Sequence, residues 1–178
     1  MFPLDQLLDV QLLIESKRTY HTVNLFGLIA YTEQNPYVIK VLKDEDFWGS
    51  LNSRTKGWIL YAVTPYNYLY GGGNANFIHH SLNIRPEEFP VLILLAIGPG
   101  GTMLQRNYPI SGDSVDCTYK SLERIADIVT GSVKQIHPQY RSATSVHREA
   151  SKALDAEFAT MRWKKASHEL AELIKGLK

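Results

Sequence analysis

The stretch Glu87-Glu88-Phe89-Pro90-Val91-Leu92-Ile93-Leu94-Leu95-Ala96-Ile97, residues 87–97, contains the longest apolar run of the chain. A short apolar run that begins at a proline predicts a β-strand covered on both faces of a sheet. The run is much shorter than the roughly 20 residues that cross a bilayer. A turn, Gly98-Pro99-Gly100-Gly101, and a more polar segment, residues 102–110, follow it. We predict that this segment returns as an antiparallel strand.

Downstream of this hairpin, helical spacing dominates the sequence. Asp113 or Ser114 is suited to cap a helix whose apolar positions recur from Val115 to Val129. From about residue 144 to residue 178 the sequence predicts one long helix or two, and the apolar residues there form two stripes about half a turn apart. Either the helix bends near residues 160–163 onto the body of the chain, or the second stripe packs on a second copy or another protein.

The second stripe defines a predicted partner or dimer helix. Its residues are Trp163, Ala166, Leu170, Leu173, Ile174 and Leu177. Leftover apolar stripes of this kind are typical of helix-in-groove contacts, so we expect a protein partner or self-association through this C-terminal arm.

Upstream of residue 87 the sequence is less decisive. Residues 58–63 predict a nearly apolar strand, and Asp44 is expected to cap a helix that ends near Gly57. The β-branched segment Tyr37–Leu42 predicts a strand before that helix. A second interpretation begins the helix at Pro36 and continues it to about residue 53. Residues 22–31 fit a strand or a buried helix, and residues 4–13 predict an amphipathic helix.

A short helix is also predicted from about residue 74 to residue 82. The resulting order is strand, helix, strand, helix, strand, hairpin strand and helix, which predicts an α/β sheet of mixed strand direction. With Phe89-Pro90 opening the apolar strand, this order resembles the thioredoxin-like superfamily between about residue 37, or residue 22, and residue 135. The resemblance implies a thioredoxin-like mixed sheet flanked by helices over residues 1–140, preceded by an N-terminal helix. Residues 141–178 would form a helical extension, and Pro90 would follow a cis peptide bond.

One departure from that family concerns the chemistry. Thioredoxins carry Cys-x-x-Cys at the start of the first crossover helix, whereas neither Leu42–Asp46 nor Thr32–Asn35 contains cysteine. Disulfide exchange needs an attacking and a resolving thiol, so we expect a non-redox protein-binding module with no catalytic residue. The alternative is a small enzyme on the same fold that uses Cys117, the only cysteine, or residues at the sheet edge.

The predicted binding edge combines two segments. Tyr66, Tyr68 and Tyr70 alternate in a loop beside three glycines, and tyrosine offers a large amphipathic contact area at low entropic cost. In the thioredoxin-like arrangement this loop and the corner at Phe89 and Pro90 lie at one edge of the sheet, where open α/β sheets bind ligands.

Composition and spacing argue against several other classes. The chain has 19 Lys and Arg against 18 Asp and Glu, and this balance lacks the basic field that binds nucleic acid or a membrane. Adjacent His79 and His80 would point about 100° apart on a helix, so we expect no metal site, and no cofactor motif is complete. One cysteine and no signal peptide at the start of the sequence lead us to expect a cytoplasmic protein.

Overall fold

The computed structural model describes residues 25–63, 76–98 and 102–176 of the chain. These residues form a four-stranded sheet, a set of helices and short helical turns. In chain order the elements are β1 Phe26–Ala30, α1 Pro36–Leu42, α2 Glu45–Arg54, β2 Ile59–Val63, a π-helical turn Asn76–Ser81, a 3-10 turn Pro86–Glu88, β3 Val91–Ile97, β4 Met103–Pro109, α3 Val115–Gln135, a 3-10 turn Pro138–Tyr140 and α4 Ala143–Gly176. The predicted helix at residues 4–13 lies outside the described residues.

The sheet has the strand order β2-β1-β3-β4 and mixed directions. Strands β1 and β2 are parallel, β3 runs antiparallel to β1, and β4 runs antiparallel to β3. This confirms the mixed α/β class, the apolar strand after Pro90 and its antiparallel hairpin partner. It also resolves residues 22–31, because their described part forms the central strand β1.

The strand predicted at Tyr37–Leu42 is wrong, because these residues form helix α1. Pro36 occupies the first turn of α1, where a proline costs no hydrogen bond, and Val38 and Val41 lie one helical turn apart on the buried side. The second interpretation, a helix from Pro36, is closer, although the helix ends at Leu42. As predicted, the Asp44 carboxylate caps α2 by accepting a hydrogen bond from the Phe47 amide at 3.0 Å.

Both faces of the central strands are buried, and each face has its own core. On one face the helices cover alternate strand residues, including Ile29, Leu92 and Leu94, with α4 contributing Val146, Ala150 and Leu154. On the other face the segment that contains the π-helical turn covers the remaining strand residues. The members of this second core are Phe26, Leu28, Ala30, Val63, Ile78, Leu82, Ile84, Val91, Ile93 and Leu95. The sheet is therefore the middle of three layers.

Gly27 allows β1 to pack closely against the next segment. A Cβ at this position would lie 2.6 Å from the Trp58 ring and 2.8 Å from the Leu60 side chain. Trp58 cannot easily retreat, because it is buried and its indole N–H donates to the Thr130 hydroxyl at 2.9 Å. The glycine is therefore explained by the close approach of Trp58 and Leu60, which leave no room for a larger residue at position 27.

We predict that Gly27→Ala destabilises the protein by about 1–3 kcal/mol, as overpacking of a dense core does. The matched control is Gly131→Ala in α3, where a Cβ meets no atom within 4 Å. That change should be neutral or raise the free energy of unfolding by up to about 1 kcal/mol through helix propensity. Urea unfolding measures both, and equal effects of the two variants would contradict the packing argument.

Candidate functional site

The sheet register brings several strand ends to one edge. Ala30, the last residue of β1, is in register with both Val63, the end of β2, and Val91, the start of β3. Val91 is in turn paired with Pro109, the end of β4. The peptide bond between Phe89 and Pro90 lies beside this edge and is cis, the isomer that the resemblance implies. Four strand ends therefore lie at one edge of the sheet.

An open cleft of about 610 Å³ lies at the β3-β4 part of this edge. Five separate parts of the chain line it: the turn before α1, the start of β3, the end of β4 with the loop that follows, α3, and the middle of α4. Its lining residues are Gln34, Asn35, Pro90, Pro109, Ile110, Ser111, Gly112, Asp113, Ser121, Phe158, Met161, Arg162 and Lys165. The cleft combines an apolar surface with a polar rim, as ligand sites usually do.

The loop after β4 forms a fixed wall of the cleft. The Ile110 amide donates to the Pro90 carbonyl at 3.1 Å. Two α3 side chains hold Ser111, since its amide donates to the Ser121 hydroxyl at 3.3 Å and its carbonyl accepts from the Thr118 hydroxyl at 2.9 Å. A Cβ on Gly112 would lie 3.3 Å from the Pro90 ring. Hydrogen bonds on both sides thus shape this wall before any ligand binds.

The turn before α1 forms another part of the rim. The side-chain oxygen of Asn35 accepts a hydrogen bond from the Thr32 amide at 2.9 Å, and the Asn35 amide donates to the Thr32 carbonyl at 3.0 Å. These two bonds close a tight turn that leaves Gln34 exposed at the rim. Thr32–Asn35 is the turn that precedes the first crossover helix, and its side chains are one hydroxyl, one carboxylate and two amides, with no thiol.

Helix α4 supplies the third wall, and Tyr108 on β4 holds it in place. The Tyr108 hydroxyl lies 3.1 Å from the Ser151 carbonyl oxygen and 3.2 Å from the Asp155 carboxylate, and its one proton is shared between these two acceptors. Its ring stacks on Phe158, with centroids 5.4 Å apart. Burial, the larger cause, and the Asp155 charge raise the pKa of Tyr108 to about 12. The hydroxyl therefore stays protonated and continues to donate at neutral pH.

Beyond Phe158, the α4 wall carries positive charge. Arg162 and Lys165 line the cleft, against one acidic lining residue, Asp113. Lys165 lies 4.0 Å from Glu169, and both side chains are exposed, so this pair is weak. The Asp113 carboxylate accepts a hydrogen bond from the Ser111 hydroxyl at 3.0 Å. The α4 side of the cleft thus favours an anionic group, and the loop side offers polar contacts.

The structure separates the two residues of the predicted proline corner. Pro90 lines the cleft, whereas Phe89 packs on the opposite core and its ring lies 6.0 Å from that of His79. Tyr66, Tyr68 and Tyr70 lie outside the described residues. Their loop follows Val63, which is at the same sheet edge, so their role stays a prediction.

The segment predicted as a partner helix is helical, and its backbone is described as far as Gly176. A single helix, α4, runs from Ala143 to Gly176, and Trp163 on it is 76% exposed. Leu170, Leu173 and Ile174 lie on its described backbone, whereas Leu177 lies outside the described residues. The first half of α4 packs on the sheet, and the residues from Met161 to Ser167 are exposed.

Cys117 does not take part in the cleft. It is exposed in the first turn of α3, where its amide donates to the Ser114 hydroxyl at 3.1 Å, and it is absent from the cleft lining. Among the residues that the structure describes, no three His, Cys, Asp or Glu side chains are grouped to hold a metal ion. Within those same ranges, no helix is long and apolar enough to span a membrane.

Sequence reasoning missed most of the cleft. Neither Met161 nor Lys165 was among the residues predicted to form the binding edge, although both line the cleft. The spacing of Phe158, Met161 and Lys165 could have revealed them. These residues are three and four positions apart, so they lie on the side of α4 that packs on the body of the protein. Gln34 and Asn35 could have been found through the interpretation that begins a helix at Pro36.

His147, on α4, makes the free energy of unfolding depend on pH. Its ring is buried, with Nε2 3.3 Å from the Leu94 carbonyl oxygen, and burial lowers its pKa from 6.5. Below pH 6.5 the unfolded chain therefore binds a proton that the folded chain does not. We predict that the free energy of unfolding falls as the pH falls from 6.5 toward the lowered pKa, and that His147→Gln removes this part of the slope.

Urea unfolding at a series of pH values between 7.5 and 5 measures this effect, roughly above the range where carboxylates titrate. The control is His137→Gln, the same substitution at an exposed position, which should keep the slope. An unchanged slope in His147→Gln would show that the buried ring does not carry the dependence.

The chain matches no protein-family model, no curated protein and no solved structure.

Proposed function

We propose that this protein is a thioredoxin-like binding module without thiol chemistry, and that it binds an extended acidic peptide in the cleft beside Pro90. The order of the elements supports the first part. A parallel pair, β1 and β2, is joined by a helical crossover, and an antiparallel hairpin and a long helix follow. This is the organisation on which the resemblance to the thioredoxin-like superfamily rests.

The absence of sulfur in the corresponding turn supports a non-redox function. The turn before the first crossover helix is Thr32–Asn35, and it lies on the rim of the cleft through Gln34 and Asn35. A thiol-disulfide exchange centre needs two thiols, and the chain has one cysteine, Cys117, at the start of another helix. The cleft can therefore hold a ligand, but no cysteine thiol lines it to attack that ligand.

The residues that line the cleft indicate what kind of ligand it binds. Pro90, Phe158 and Met161 provide an apolar surface at the sheet edge, and Arg162 and Lys165 provide two cations on one wall. An extended peptide that pairs an apolar side chain with an acidic one satisfies both features. The fixed walls reduce the ordering cost of binding, because the protein side is already arranged.

The test uses a displayed library of random peptides and the variant Met161→Glu. Met161 is 52% exposed on the α4 rim, so this substitution leaves the core intact and adds a carboxylate next to Lys165. We predict that peptides selected on the native protein are enriched in acidic residues, and that their affinity for Met161→Glu is weaker by about tenfold or more. Fluorescence anisotropy at two salt concentrations measures the affinity and its electrostatic part.

The matched control is Ala156→Glu, which adds the same charge to the same helix at an exposed position outside the cleft. It should bind the selected peptides like the native protein. Equal losses in both variants, or peptides that bind Met161→Glu at full affinity, would place the binding site elsewhere. A library that yields no specific peptide would refute the proposed module.

A separate prediction concerns the thiol. Because Cys117 is exposed and does not line the cleft, Cys117→Ser should change peptide affinity by less than about twofold. The same anisotropy titration measures this variant, with and without reductant. A large loss, or binding that depends on reductant in the native protein alone, would instead favour a thiol-dependent function.

A further inference from the structure

We propose that the acidic peptide continues from the cleft along the outer side of β4, the side turned away from β3, and adds a strand to the sheet. This inference rests on the proposed function and deepens it, because it states how the backbone of the peptide is held. Among the described residues, β4 is the last strand of the sheet and has β3 as its one neighbour. Pro109, the last residue of β4, also lines the cleft, so the outer side of β4 leads into the site.

The hydrogen bonds at the two ends of β4 determine which backbone groups face outward. The Gly98 amide donates to the Thr102 carbonyl at 2.7 Å, and the Ile110 amide donates to the Pro90 carbonyl at 3.1 Å. In an antiparallel pair every second residue bonds to the neighbouring strand, so the even-numbered residues from 102 to 110 bond to β3. The odd-numbered residues turn their backbone groups outward, and these are Met103, Gln105, Asn107 and Pro109.

These outward groups are suited to receive another strand. Each of residues 103, 105 and 107 offers one amide and one carbonyl, and Pro109 offers a carbonyl beside the cleft. In the part of the chain that the structure describes, no group is hydrogen-bonded to them. A row of such groups on an outer strand is where an extended peptide adds to a sheet.

The charge beside this row matches an acidic peptide. Arg106 is exposed and forms no ion pair within the described ranges. It lies on the α4 side of the sheet, as does Tyr108, which contacts Ser151 of α4. Arg162 and Lys165 belong to the same side. Because every second side chain of a strand faces one side, the acidic residues of the peptide should be an even number of positions apart.

A second copy of β4 would fit this outer side less well than an acidic peptide. The strand reads Met103-Leu-Gln-Arg-Asn-Tyr-Pro109 and contains no acidic residue, so a second β4 could not place a carboxylate opposite Arg106. A symmetric pair centred on Arg106 would set two cations against each other, which is destabilising. The occupant that satisfies both the backbone and the charge is therefore the peptide of the cleft.

The first test methylates, one at a time, the backbone amides of a peptide selected on the native protein. An added strand points alternate amides at β4, so methylation at every second residue should weaken binding about tenfold or more. Methylation at the residues between should change it by less than about threefold. Fluorescence anisotropy measures both. A scan without alternation, in a peptide that still loses affinity for Met161→Glu, would overturn the added strand and leave the cleft as the binding site.

The second test compares Asn107→Pro with its matched control, Asn107→Ala. Both remove the same side chain, but only proline removes the outward amide, and an outer strand tolerates proline at such a position. We expect the peptide to bind Asn107→Pro about tenfold more weakly than Asn107→Ala. Circular dichroism and urea unfolding check that both variants are folded. Equal affinities of two folded variants would contradict backbone pairing.

Hydrogen exchange measured by NMR locates the added strand without any substitution. On binding of the selected peptide, the amides of Met103, Gln105 and Asn107 should exchange about tenfold more slowly or less. The amides of Leu104 and Arg106 should change little, because they already bond to β3. If the three outward amides are already protected without peptide, or stay unprotected with it, the proposal is wrong.

Discussion

The constraint that organises this protein is the burial of β1 and β3 on both faces. All five residues of β1 and the first six residues of β3 are buried, so every side chain of these segments needs a covering layer. Helices supply that layer on one face and the segment around the π-helical turn supplies it on the other. The same two strands fix the register of their neighbours, which is why four strand ends meet beside Pro90.

Local signals predicted the parts of the fold that local physics determines. Asp44 and Ser114 each accept a backbone hydrogen bond in the first turn of a helix, and such caps can be predicted within a few residues of sequence. The strand at residues 91–97 and its hairpin partner followed from an apolar run and a turn. Tyr37–Leu42 was misassigned because β-branched residues favour strands only weakly, and burial of Val38 and Val41 on one helical side outweighs that preference.

Gly27 shows why other parts could not be predicted. In the sequence, this glycine interrupts an apolar segment and weakens the prediction of a strand. In the structure, it lies against the Trp58 ring and the Leu60 side chain. The reason for the glycine lies more than thirty residues away along the chain. The cleft has the same origin, because five separated segments line it. Of its lining residues, Pro90 alone belongs to the binding edge that the sequence predicted.

The length of α4 has a consequence for the width of the cleft. Its 34 residues extend about 51 Å, and the residues that line the cleft lie near the middle of that length. Tyr108 holds the helix at Ser151, Asp155 and Phe158, and Lys165 lies about 10 Å further along the axis. A tilt of the helix by about 10° at Phe158 would therefore move the Lys165 end of the wall by about 2 Å. The packing of one aromatic pair thus sets the distance between the cationic wall and the rest of the cleft.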